Sequence, residues 1–290
     1  MSFAGAILGA MVRRSIAVAA ALGVCGCLEL ESASEPGTGG SVGAAAATST
    51  GGGAGADGGA SGGGAGGSGA SGGSGFCATQ TGVALCKDFD DGKPLGFGFT
   101  GVDLASPSTL ELDPFSALSP PQAMKSTVLE GTPDADSYAY AYFDPPDQKA
   151  KLVTLSFDIL VDITGIAQSA DVATITVDPN GKRHSMAFEL YAQGARIELA
   201  YPGPTGGTDY KEAGLTAFPI KDKWSRVSIH MNRTSPPSVS VSVDGASAGS
   251  MPLEPGFVND GLRTRVGLSF APGLKKGLSV RYDNVVVEVK

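Results

Sequence analysis

Val153-Thr154-Leu155-Ser156-Phe157-Asp158-Ile159-Leu160-Val161-Asp162-Ile163 decides the fold. Val153, Leu155, Phe157, Ile159, Val161 and Ile163 alternate with Thr154, Ser156, Asp158, Leu160 and Asp162. In an extended chain successive side chains leave on opposite faces, so one face of this segment is oily and the other mostly polar. A helix would scatter the same residues around its axis. The segment is therefore a long strand with one face in a core.

The same period recurs on both sides of it. Met186, Phe188 and Leu190 form a second apolar set, Val227, Ile229 and Met231 a third, Val239, Val241 and Val243 a fourth, and Val266, Leu268 and Phe270 a fifth. The valine-rich run Ser279–Val289 suits a strand buried on both sides. Asp178-Pro179-Asn180-Gly181 and Asp244-Gly245 carry hairpin-turn chemistry, and Asn259-Asp260-Gly261 breaks a later loop. No window sustains a 3.6-residue apolar period. Many short strands with frequent turns predict an all-β fold, a two-sheet antiparallel β-sandwich of jelly-roll type.

Composition divides the 290 residues into unequal parts. Nineteen of the 43 glycines lie between Gly37 and Gly75, in a stretch almost without large apolar side chains. Such a segment buries too little surface to offset its ordering entropy, and residues 28–75 are expected to be a disordered Gly/Ser/Ala tether. From Ser32 onward it would reach about 35–40 Å as a Gly-rich coil. Gly53-Ala54-Gly55-Ala56-Asp57-Gly58 fits the dinucleotide pattern GxGxxG, but neither a strand before it nor a helix after it supports that chemistry. The foldable part is residues 76–290. It carries 19 basic and 25 acidic residues of the chain's 21 and 29, a net charge of -6, and has no basic run. That excludes a nucleic-acid partner.

The N-terminus reads as an export signal over residues 1–27. Met11-Val12-Arg13-Arg14 is a positive start, with translation from Met1 or Met11 left open, and Ser15–Val24 is an Ala-rich apolar run too brief to span a bilayer. Val24-Cys25-Gly26-Cys27 resembles a bacterial lipobox, with Cys27 as the lipidated residue. The alternative is an ordinary cleaved secretory signal. Leu28 follows Cys27 in place of an aspartate that would resemble an inner-membrane retention signal. The expectation is thus an exported, lipid-anchored protein of the bacterial outer membrane or cell surface. In an oxidising compartment Cys77 and Cys86 are expected to form a disulfide, contributing about 2–3 kcal/mol for so short a loop. His184 and His230 have no spacing that would make the pair a zinc site.

Four stretches carry a family resemblance. Trp224-Ser225-Arg226-Val227-Ser228-Ile229, the run Ser238–Gly245 ending in Val-Asp-Gly, Tyr282-Asp283-Asn284-Val285, and the opening Ala84-Leu85-Cys86-Lys87-Asp88-Phe89-Asp90-Asp91 are similar to the concanavalin A-like lectin/glucanase superfamily, nearest to its laminin G-like jelly rolls. That superfamily includes glycan binders, hydrolases and lyases, so the resemblance implies a fold and leaves function open. Its retaining hydrolases carry Glu-x-Asp-x-x-Glu on one strand, which is absent here, and Glu189 and Glu198 have no acidic partner two residues away. Its polysaccharide lyases use strand-borne Arg, Gln-x-His and Tyr-Phe-Lys. Tyr142-Phe143-Asp144-Pro145 and Arg183-His184 echo these with Asp in place of Lys and no Gln-x-His.

Two constellations remain, the first of them implied by the resemblance. Related sandwiches place their first and last strands side by side over a structural calcium, for which Asp88, Asp90 and Asp283 are the candidate ligands, with Asp91 and Asn284 nearby. Turn-capping carboxylates are the other reading, and EDTA lowering the melting temperature would separate them. Tyr138, Tyr140 and Tyr142 project from one strand face between Ala139 and Ala141, either to stack on sugar rings or to pack into the core. Trp224 is expected in the core. The functional expectation is a non-catalytic surface module with a polysaccharide or cell-envelope ligand. The alternatives are a glycan-cleaving lyase or glycosidase with a diverged active site, and a purely structural envelope protein.

Overall fold

The computed structural model describes residues 75–290 apart from 131, 133–136, 162–165, 167–168, 179–181, 220–221, 259 and 273–276. The export signal, Cys27 and the tether up to residue 74 lie outside the described residues, as do Ile163 and the Pro-Asn-Gly part of the first hairpin turn.

In chain order the strands are β1 (Leu85–Lys87), β2 (Gly101–Leu104), β3 (Thr109–Asp113), β4 (Ala123–Val128), β5 (Ala139–Phe143), β6 (Leu152–Val161), β7 (Ala170–Val177) and β8 (His184–Tyr191). They continue as β9 (Gly194–Pro202), β10 (Thr208–Gly214), β11 (Ser225–Asn232), β12 (Ser238–Val243), β13 (Ala246–Pro252), β14 (Leu262–Phe270) and β15 (Leu278–Val289). An eight-stranded sheet runs β13-β12-β11-β6-β15-β4-β3, with β1 also paired to β15, and a seven-stranded sheet runs β10-β9-β8-β7-β14-β5-β2. Every pairing is antiparallel. The fold is the two-sheet sandwich that the alternation predicts.

The core is where the alternating residues meet. Val153, Leu155, Phe157, Ile159 and Val161 are buried from one sheet, and Met186, Phe188, Leu190, Ile197 and Leu199 from the other. Phe157 and Tyr282 touch ring to ring at 5.7 Å within the eight-stranded sheet. The Tyr282 hydroxyl crosses the core and donates to the Val172 carbonyl at 2.8 Å, tying the two sheets together. Residues 282–287 are buried on both faces of β15, as its valine content suggests.

The fifth apolar set departs from strict alternation. Between Val266 and Phe270 the β14–β7 register shifts, and Phe270 emerges 44% exposed on the outer face. Gly267 makes the irregularity feasible: its φ is 121°, and a Cβ there would lie 2.5 Å from the Ala139 carbonyl. Ser126 of the opposite sheet fills the gap, donating to the Ala139 carbonyl at 2.6 Å and accepting from Leu268 N–H at 3.1 Å.

The described chain begins against the outer face of the eight-stranded sheet. Phe76 lies under the Arg226 guanidinium at 5.3 Å, and Cys77 N–H donates to Asp88 at 3.0 Å. Cys77 is bridged to Cys86 of β1, as expected, with 5.6 Å between the Cα atoms. Beneath them Asp158 accepts from Asn284 at 2.8 Å and from Arg226 at 3.2 Å.

Candidate functional site

Cross-strand register assembles a polar site on the outer face of the seven-stranded sheet. Ala139 and Ala141 are fully buried, so their neighbours Tyr140 and Tyr142 must point outward from β5. Tyr142 stands opposite Arg265 of β14, Arg265 opposite Thr174 of β7, Thr174 opposite Ala187 of β8, Ala187 opposite Glu198 of β9, and Glu198 opposite Glu212 of β10. These six residues form a row about 24 Å long at the usual spacing of strands. A parallel row holds Arg263, Thr176, Ser185, Ala200 and Tyr210. Aromatic and cationic groups thus occupy one end, small residues the middle and carboxylates the other end.

At the aromatic end, Tyr138 and Tyr140 lie ring to ring at 5.9 Å. The Tyr140 hydroxyl donates to Asp103 at 3.0 Å, and burial raises its pKa above the usual tyrosine value. The Arg265 guanidinium lies 5.1 Å from the Tyr140 ring and that of Arg263 lies 4.1 Å from Tyr142. Arg263 also grips Asp144 through both edges. The tyrosines therefore present edges and hydroxyls beneath planar cations rather than bare ring faces. Tyr142 can lie flat because β2 has Gly101 beside it, where a Cβ would meet the tyrosine oxygen at 2.6 Å. A cavity of about 440 Å³ adjoins this end, with Arg183, Arg263, Arg265, Thr176 and Asp144 in its wall.

At the acidic end, Arg196 draws three carboxylates together. It bonds Glu189, donates to Glu212 at 2.7 Å and lies 3.7 Å from Glu198. Asp171 stands opposite Glu189 and faces a cavity of about 400 Å³ that also contains Glu198, Tyr210 and Phe270. Among the described residues no protein donor reaches the Asp171 carboxyl. Burial, and then the charges of Glu189 and Glu198, push its pKa up to about 8. Burial and Glu189 likewise push Glu198 up to about 7. Glu189 and Glu198 thus do have acidic partners, supplied by neighbouring strands and invisible as spacing along one strand.

The remaining candidates lie elsewhere. His184 points inward onto Phe257, ring to ring at 5.4 Å, and His230 is on the opposite sheet bonded to Thr154, so neither histidine is on this face. Trp224 is half-buried just before β11. β1 does lie beside β15, bringing Asp88, Asp90 and Asp283 to one end of the sandwich. Asp283 is fully buried and accepts from Leu118 N–H, Ser119 N–H and the Ser119 hydroxyl at 3.1, 2.9 and 3.0 Å. Burial pushes its pKa up to about 6 against those donors, with the charge of Asp90 adding to the rise. Asp90 accepts from Gln122 N–H and Asp88 from Cys77 N–H. Among the described residues no three His, Cys, Asp or Glu side chains are gathered as a metal ion requires.

No protein-family model matches the chain, and no curated protein matches it in sequence. Solved structures do share its shape. An endo-β-1,4-glucuronan lyase from the fungus Trichoderma reesei superposes with a TM-score of 0.57 at 16% identity, over 72% of this chain and 96% of that one. The cellulose-induced protein Cip1 gives 0.49 at 13% identity, over 70% and 96%. A carbohydrate esterase of Shiga toxin-encoding bacteriophage phi24B gives 0.48 at 12% identity, over 72% and 98%. At these identities the likeness to the lyase defines the class of fold, a jelly-roll β-sandwich, and nothing finer.

Proposed function

We propose that this protein is a glycan-binding surface lipoprotein whose ligand lies along the outer face of the seven-stranded sheet. One observation carries the reading: a single face lines up tyrosine hydroxyls, arginines, small hydroxyl residues and carboxylates along about 24 Å, a length suited to several sugar units. Sugars present many hydroxyls and little apolar surface, so a site for them needs dense donors and acceptors on a rigid support. The shared fold with a glucuronan lyase is consistent with this. The full-length chain is expected to be retarded in affinity gels cast with at least one soluble polysaccharide, and a Tyr142→Ala, Arg265→Ala double variant is not. Migration unaffected by every polysaccharide tried would refute the reading.

In this proposal Cys27 carries the lipid and holds the protein at the outer membrane. A Cys27→Ser variant should lose incorporation of a fatty-acid label and leave the membrane fraction. Equal labelling of both forms would rule the anchor out.

One observation favours a second reading, cleavage of the glycan. Asp171 and Glu198 share a cavity and titrate near neutral pH beside Glu189, which Arg196 holds. A protonated and an ionised carboxyl in one pocket are what acid–base attack on a glycosidic bond requires. New reducing ends or unsaturated products formed by the native chain and not by Asp171→Asn would establish this reading, and their absence would leave binding alone.

A further inference from the structure

The seven-stranded sheet ends in an unpaired edge. β10 is its last strand, and residues 208–212 are all exposed, whichever face they point to. Two bonds fix the direction of its main-chain groups. Leu215 N–H donates to the Ala195 carbonyl at 2.9 Å, and Gly203 N–H to the Gly207 carbonyl at 2.7 Å. Both continue the β9–β10 register, which sets Asp209 opposite Tyr201 and Lys211 opposite Leu199. Bonded pairs recur at every second residue of an antiparallel ladder. Asp209, Lys211 and Ala213 therefore bond to β9, while Thr208, Tyr210 and Glu212 turn N–H and C=O away from it. Among the described residues nothing bonds to those outward groups. The other edges differ. β2 and β3 have four and five residues. The free side of β13 is met by Thr216, whose N–H and hydroxyl donate to the Ala248 carbonyl at 2.8 and 2.9 Å. β10 contains no proline, and its register runs without a bulge, so the common guards of a sheet edge are missing.

We propose that β10 pairs antiparallel with β10 of a second copy of this chain, about a two-fold axis at Tyr210. The charges select that register. Centred on Tyr210, Asp209 of each copy lies opposite Lys211 of the other, and Thr208 lies opposite Glu212. Centring on Asp209, Lys211 or Glu212 sets like charges face to face, and centring nearer either end leaves most of the strand unpaired. Among the described residues Asp209 has no ion pair within its own chain, and its carboxylate lies beside Gly203, where a Cβ would meet it at 2.9 Å. Lys211 is held at the same edge by Glu254 and lies 5.6 Å from the Tyr201 ring. Tyr210, 60% exposed, meets its own counterpart on the outer face. This register makes about six main-chain hydrogen bonds between the copies. The two seven-stranded sheets then run on as one, and their outer faces join.

The test is sedimentation equilibrium of the full-length chain carrying Cys27→Ser, so that no lipid can be attached at residue 27. One strand edge is a small interface, and a dimer with a dissociation constant of about 10–100 µM is expected. A chain that stays monomeric up to about 1 mM would overturn the inference. Tyr210→Pro removes only an N–H that points away from β9, so the dilute protein should keep its melting temperature while dimerisation is lost. A dimer that survives this variant would place the contact elsewhere. The register has its own test at low salt. Asp209→Lys alone, and Lys211→Asp alone, each set like charges opposite one another and should weaken dimerisation at least about tenfold. An equimolar mixture of the two variants restores opposite charges at both positions and should recover the original affinity to within about threefold. Single variants that dimerise as well as the parent, or a mixture that does no better than its components, would overturn the pairing at Tyr210.

Discussion

Arg263 and Asp144 are joined through both edges, Nε to Oδ1 at 2.6 Å and Nη2 to Oδ2 at 2.7 Å, and this clamp holds the guanidinium plane over Tyr142. Both side chains are about one-third exposed, so solvent screens much of the attraction. Asp144→Ala is expected to cost about 0.5–1 kcal/mol and to lower the melting temperature by about 1–4 °C. Affinity for any bound glycan should fall more noticeably, because the arginine loses its orientation. Unchanged affinity together with the small thermal shift would show that the clamp serves stability alone.

Stability should decline as pH rises through the neutral range. Asp171, Glu198 and Asp283 have folded-state values pushed up to about 8, 7 and 6. A carboxyl with a raised folded-state pKa binds its proton more tightly folded than unfolded. Its contribution is fully present below the unfolded value near 4 and is lost as pH climbs through the folded value. Asp91 and Asp113 are held below the usual range by Lys87 and Arg281 together with main-chain donors, so their contributions are lost on acidification below about pH 4. The melting temperature is therefore expected to peak near pH 5 and to fall towards pH 8. Asp171→Asn should flatten the alkaline side of that profile. A profile rising from pH 5 to 8 would contradict the burial of these groups.

Tyr282→Phe removes one oxygen from the middle of the sandwich. It strands the Val172 carbonyl and breaks the bond between the sheets while leaving the ring on Phe157. A loss of about 1–3 kcal/mol in urea unfolding follows, with an unchanged slope because the surface exposed on unfolding is the same. A loss below about 0.5 kcal/mol would mean that the carbonyl finds another donor.

Reduction of Cys77–Cys86 frees a strand of only three residues, β1, which is held otherwise by its pairing with β15. Closing a loop of this length contributes about 2–3 kcal/mol, so a reductant should lower the melting temperature by about 5–10 °C. No shift under full reduction, verified by thiol counting, would show that β1 needs no staple.

The fold was legible because burial repeats with the pleat. Phe157, Phe188, Ile229 and Val241 announce their faces in sequence, and all are buried. Phe270 misled because Gly267 shifts the register, an event that leaves no mark in an apolar pattern. The direction of the tyrosines was open for a related reason: parity says that Tyr140 and Tyr142 share a face, and only the burial of Ala139 and Ala141 says which. The acidic end was hidden altogether. Asp171, Glu189, Glu198 and Glu212 become neighbours through three ladders, and register between distant strands is not written in local spacing. One signal was available: Leu262-Arg263-Thr264-Arg265-Val266 alternates two arginines with residues that suit an interior, which marks a strand presenting paired cations outward.

Phe76 under Arg226 and the neighbouring bridge place the point of entry on the reverse of the sandwich from Arg265. A bead or sensor chip coupled directly at Gly75 then pulls from behind. Immobilisation at that end should leave the arginine face open to large polymers, while a partner fused there would have to reach around the edge strands to obstruct it.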